Sequence, residues 1–296
     1  MFSKVIIATD LSAASMEVVR CACGLASLGT KEILLLHCIS SMEAASAGFA
    51  EDNQRIENML EEQKSILLGQ DFKVEAQTVL GTPHREINRI AAQNNYSLVM
   101  VGSHGRTLSK DIFLGSVASE IIQKTSMPLL VVRLEIISDP ENSTGLIPRV
   151  CSTFGSSVLF PTDFSENADH AFTYLKKLVE RETSSVTLVH VQDIIKDQIE
   201  RYDQLSELAN DRLDNLEQAL LRVKEDIDIS KIVVDGNPSQ EILKISRATN
   251  PSMIVMGSQG KGYVKELFMG SVSHEVTRKA NTSVLFVPSS TRGDQQ

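Results

Sequence analysis

Residues 100–117 read MVGSHGRTLSKDIFLGSV, and residues 255–272 read VMGSQGKGYVKELFMGSV. Each is an apolar run that enters Gly-x₂-Gly, continues for nine residues and ends in Gly-Ser. Between positions 102 and 120, nine of nineteen residues recur 155 residues further on. A lone Gly-x₂-Gly is ordinary turn chemistry, but a long spacing kept twice is the mark of an internal repeat.

The repeat extends outward from these stretches. VIIATDLSAAS (5–15) matches VLFPTDFSENA (158–168), setting Asp10 against Asp163, and LLLHC (34–38) matches TLVHV (187–191), both at an offset of 153. GTPHREI (81–87) matches GNPSQEI (236–242) at an offset of 155. The chain therefore reads as one domain duplicated: 1–135, a Pro/Gly/Ser-containing connector at 136–156, 157–290, and a polar tail at 291–296. Its 296 residues suit two domains of ordinary size.

Apolar runs at 4–9, 33–39, 73–79, 97–101 and 129–133 alternate with helix-like stretches near 13–28, 51–68, 84–94 and 116–125. The second half repeats the runs at 157–161, 186–191, 230–234, 252–256 and 284–287. Continuous apolar strands imply a sheet covered on both faces, hence parallel strands in βαβ units. The expected fold is two tandem doubly wound α/β domains, each a five-stranded parallel sheet with helices on both faces. The stripe Leu205, Leu208, Ala209, Leu213, Leu216, Leu220 and Val223 reads as the packing face of a crossover helix.

Composition narrows the function classes. A formal charge of −9 argues against nonspecific nucleic-acid or anionic-membrane binding. No apolar run reaches membrane-spanning length, and MFSKVIIATD does not read as a signal peptide, so the expected location is the cytoplasm. The four cysteines, Cys21, Cys23, Cys38 and Cys151, lack zinc-site spacing and read as reduced thiols.

The glycine segments carry the chemistry. Gly102 and Gly257 follow strands, where glycine can take positive φ and lets a ligand approach the backbone. Ser116 and Ser271 stand before helical stretches as candidate N-caps, at helix ends whose free N–H groups favour an anion. Arg106 and Lys110, or Lys261 and Lys265, lie in the excursion and read either as phosphate partners or as solvated charges. His37 and His190 close apolar strands and read as structural. His104 is opposite Gln259 in the second copy, so proton transfer is not shared by both segments.

With its neighbours, the signature resembles that of the ATP-binding universal stress proteins, in a tandem two-domain form. The Thr-Asp-x-Ser turns, the His-containing second strands and the Gly-x-Pro loops are also similar to that family. The resemblance implies strand order 3-2-1-4-5 and an adenine nucleotide (ATP, ADP or AMP) in each domain, with or without Mg²⁺ at its phosphates. Asp10 and Asp163 would face the nucleoside, and Cys38 and Val191 would offer backbone groups to adenine. Gly102, Gly105, Gly257 and Gly260 would line the ribose-phosphate side. Gly115, Ser116 and Val117, with Gly270, Ser271 and Val272, would hold phosphates. The domains are expected to form a pseudo-dimer through their last strands, and the tandem chain has the option of a homodimer. The leading function is a nucleotide-dependent sensor or regulator of the stress response. The alternatives are a slow ATPase using the same pocket and a dimerising adaptor.

Overall fold

The computed structural model describes residues 1–45, 49–103, 116–138, 144–148, 153–192, 202–260 and 269–289. Two compact units divide the chain, Met1–Thr153 and Phe154–Gln296. Unit one runs β1 (Lys4–Thr9), α1 (Ala13–Arg20), a 3₁₀ turn (Cys21–Leu25), β2 (Glu32–Ile39), the short α2 (Ser41–Ala44), α3 (Phe49–Leu68), β3 (Lys73–Leu80) and α4 (Pro83–Asn94). It continues with β4 (Leu98–Gly102), α5 (Ser116–Lys124), β5 (Leu129–Val132), β6 (Leu134–Ser138) and β7 (Thr144–Pro148). Unit two runs β8 (Ser157–Pro161), α6 (Glu166–Val179), β9 (Ser185–Gln192), α7 (Tyr202–Leu221) and β10 (Asp228–Asp235). It ends with α8 (Pro238–Thr249), β11 (Met253–Gly257), α9 (Ser271–Lys279) and β12 (Ser283–Val287).

Each unit holds a parallel sheet in the expected order, β3-β2-β1-β4-β5 in the first and β10-β9-β8-β11-β12 in the second. Hydrophobic burial explains the layering. Val5, Ile6 and Ile7 on β1, and Met253, Ile254 and Val255 on β11, are fully buried on both faces of their strands. The outer strands β3 and β10 have only exposed and half-buried positions, as a sheet margin open to solvent should. Right-handed crossovers place α6 and α7 on one face of the second sheet and α8 and α9 on the other, and α8 packs on α9. The order in which strands are added reverses between β8 and β11, so the crevice above their carboxyl ends is the expected ligand position.

Local signals recur at matching positions in both units. Ser12 and Ser165 cap α1 and α6, accepting hydrogen bonds from the N–H groups of Ser15 and Ala168. Pro83 and Pro238 start α4 and α8, and Asn95 and Asn250 end them in the left-handed conformation.

Three expectations change. The helix expected at 13–28 ends at Arg20 and tightens into the 3₁₀ turn. Cys21 is disulfide-bonded rather than a reduced thiol, whereas Cys23 and Cys38 are outside any disulfide. Across the start of the stretch read as a connector, β6 and β7 pair antiparallel and pack on α1. This brings chain from beyond the first sheet back beside the helix that leads into Cys21. Among the described residues, no helix is long and apolar enough to cross a membrane.

Candidate functional site

In unit two the exit of β8 is a tight turn, Thr162-Asp163-Phe164-Ser165. The Thr162 hydroxyl oxygen accepts from the Phe164 N–H at 3.0 Å, and the Asp163 carboxylate accepts from the Ser165 N–H at 3.0 Å. Phe164 is held at φ 58°, a region that bulky residues avoid unless the surroundings enforce it. Its counterpart Leu11 in unit one has φ 60°. The aspartates are therefore not helix caps; they fasten the turn two residues before the capping serine.

The three glycines are stitched to each other and to this turn. The Gly270 N–H donates to the Ser258 carbonyl at 2.8 Å and closes the excursion at its base. The Ser273 hydroxyl donates to the Gly257 carbonyl at 2.9 Å. A Cβ on Gly260 would stand 2.5 Å from Asp163 Oδ2, and one on Gly257 would stand 3.0 Å from the Asn167 carbonyl oxygen. These two positions need glycine for room. None of Gly257, Gly260 and Gly270 has positive φ, which corrects the conformational reason expected for Gly257.

Gly270, not Ser271, is the N-cap of α9, with extended φ −72° and ψ 159°. Its carbonyl accepts the first helical bond, from the His274 N–H at 2.9 Å, which puts Ser271 one position into the helix. A glycine cap brings no side-chain oxygen to the first turn. The N–H groups of Ser271, Val272 and Ser273 and the positive end of the helix dipole thus meet the crevice uncovered by a capping side chain.

Above these elements lies a cavity of about 610 Å³, within the range of small-molecule sites. Asp163, Val191, Gly257, Gly260, Gly270, Ser271 and Val272 all line it, so the structure brings together every site residue expected for unit two. His190 also lines it, with Nδ1 2.8 Å from the Thr162 carbonyl oxygen. A carbonyl only accepts, so Nδ1 carries the proton, and the structural reading of this histidine agrees with that bond. His37 makes the same contact to the Thr9 carbonyl at 2.9 Å.

The sequence reading missed one wall. Leu205, Leu208, Ala209 and Arg212 of α7 line the cavity, opposite Pro238 and Ile242 of α8. Leu213 and Leu220 are buried as the stripe implied, but Leu205 and Leu208 are 39% and 55% exposed at the lip. Comparing the copies would have shown that these positions diverge. At an offset of 153, Arg55 and Met59 stand where Leu208 and Arg212 do, so the two helices differ in side-chain chemistry where the glycine segments agree.

In unit one the Asp10 carboxylate accepts from the Ser12 N–H at 3.1 Å, from the Ser12 hydroxyl at 2.6 Å and from the Ser15 hydroxyl. Cys38 stands near the end of β2, paired with Val79 of β3. Burial, then the charge of Glu86, pushes its thiol pKa up to about 12. Gly102 ends β4, and Ser116 and Val117 open α5, so Ser116 is the first helical residue rather than the cap. His104, Gly105, Arg106, Lys110, Gly115, Lys261 and Lys265 lie outside the described residues.

Fold and crevice together define a doubly wound α/β protein with a ligand-sized cavity at its switch point. The sequence profile of the universal stress protein family matches residues 1–133 and again 156–288, and the chain belongs to that family. It is 31% identical over 160 residues to universal stress protein MJ0577 of Methanocaldococcus jannaschii, covering 46% of this chain and 96% of that protein. A universal stress protein of Mycolicibacterium smegmatis is 25% identical over 96% of both chains. The crystal structure of a universal stress protein from Archaeoglobus fulgidus superposes with a TM-score of 0.70 at 24% identity, covering 98% of this chain and 97% of that one.

Proposed function

We propose that this protein binds an adenine nucleotide in each unit and acts as a nucleotide-dependent sensor or regulator in the stress response. The observation that carries the reading is the uncapped N-terminus of α9, tied through Gly270 and Ser258 to a strand exit where Gly260 has no room for a side chain. A phosphate is the group that such a helix end accepts best. In unit two, Gly270, Ser271 and Val272 would hold phosphates, Gly257 and Gly260 would pass the ribose, and Asp163 and Val191 would face the nucleoside. Asp10, Cys38, Gly102, Gly105, Gly115, Ser116 and Val117 have the same roles in unit one. Among the described residues no group of three His, Cys, Asp or Glu side chains is placed to hold a metal, so Mg²⁺ would arrive on the phosphates.

Stripped of ligand, the protein should bind ATP, ADP or AMP at micromolar concentration; absence of saturable heat in calorimetry overturns the reading. Sustained ATP turnover in the same preparation would move the assignment to a slow ATPase. The apolar sequences of β5 and β12 support pairing of the two units through these strands. Cysteine pairs placed across 129–132 and 283–287 should crosslink within one chain, and failure of every pair would contradict that arrangement.

A further inference from the structure

We propose that Arg212 makes the second unit's site select phosphorylated over neutral nucleosides, which rests on the nucleotide reading and assigns it a residue outside the glycine signature. The Arg212 guanidinium carbon lies 4.7 Å from the centroid of the Phe164 ring, and that ring lies 4.5 Å from the His190 ring. His190 is in turn fixed by its bond to the Thr162 carbonyl. The guanidinium lies over a ring that is itself tilted 38° against the imidazole, on the strained turn that also carries Asp163, so Arg212 is oriented although α7 presents it at an exposed position.

Arg212 lines the cavity, and among the described residues it makes no hydrogen bond and no ion pair. Lys231, by contrast, is held by Asp214 and Glu217 at 2.5 and 2.6 Å on the same helix. A guanidinium with five donors, stacked at the wall of a ligand cavity and without a carboxylate, is a charge that the fold leaves for a ligand anion. It comes from the sheet face opposite α9, so a phosphorylated ligand meets positive potential from both sides. In unit one, Met59 occupies this register and Arg55 lies one turn away. The two sites therefore differ in how they read ligand charge.

The chain has no Trp, so Leu208→Trp on the lip reports on the second site alone, and all comparisons are made within that background. Arg212→Met should weaken ATP and AMP by roughly 10- to 100-fold, the loss expected for a charge-assisted hydrogen bond, and leave adenosine within about twofold. Arg212→Lys, which keeps charge but loses the guanidinium fork over the ring, should fall between. Equal weakening of ATP and adenosine, or no change in either, overturns the role of Arg212. Calorimetry on the unmodified chain separates the failures: heat with ATP but no effect of Arg212→Met sinks this inference alone, and no heat sinks the nucleotide reading with it.

Discussion

At the residue scale, Gly260 shows why the signature is strict. A methyl there would press on Asp163 Oδ2 at 2.5 Å, so Gly260→Ala must displace the aspartate, the loop or both. Calorimetry should find ATP affinity in unit two lowered at least about tenfold, in keeping with the cost of overpacking. The motif was legible in the sequence, but its reason was not, because a close approach between residues 97 apart is a tertiary fact. Gln63 was invisible for the same reason. It is buried in α3, its carbonyl accepts from the Thr9 hydroxyl at 2.8 Å, and its amide nitrogen has no partner among the described residues. Unit two has Leu216 at this register. Gln63→Leu should thus change stability by less than about 1 kcal/mol, since it removes an unsatisfied donor along with a bond. Gln63→Ala, which leaves a cavity, should cost about 2 kcal/mol or more in denaturant unfolding. Cys38 offers a test against pH. Its folded pKa lies near 12, while an unfolded thiol titrates near 8.5. The neutral buried thiol gives its full contribution below that lower value and loses it as pH rises toward 12. Iodoacetamide at about pH 8 should therefore label exposed Cys23 and spare Cys38 in the folded protein, as peptide mass mapping would show.

At the element scale, the N-terminus of α9 separates stability from binding. Gly270→Asp supplies the missing cap, and a Cβ at this position meets only ordinary contacts, the nearest at 3.5 Å. The helix should gain about 0.5–1 kcal/mol from the cap and the dipole, raising the melting temperature. The same carboxylate would occupy and repel the phosphate position, so nucleotide binding in unit two should fall to background. A rise in both properties would contradict the anion site. Strand and helix positions were readable from apolar periodicity, and so were the Pro and Asn boundaries of α4 and α8. The β6–β7 hairpin was not, because Pro140, Gly145 and Pro148 give the stretch the composition of a loop. The α7 wall was misread in part because Leu205 and Leu208 continue a helical stripe whose lower half is core. Periodicity reports a shared face of the helix, and it does not distinguish packing from a cavity lip.

At the scale of the whole molecule, duplication is what made the fold legible. Two copies turned weak local signals into a pattern, and the structure gives each unit the same strand order and repeats its helix caps and left-handed turn residues. The copies then diverge along α3 and α7: Met59 against Arg212, and Gln63 against Leu216. Saturating nucleotide should stabilise the protein by mass action, by about 2.7 kcal/mol at a hundredfold excess over Kd. The most direct test is calorimetric titration of ligand-stripped protein with ATP. Two nucleotides bound per chain at micromolar Kd, reduced to one by Gly270→Asp, is the expected result. Absence of saturable binding, or two sites persisting in that variant, would contradict it.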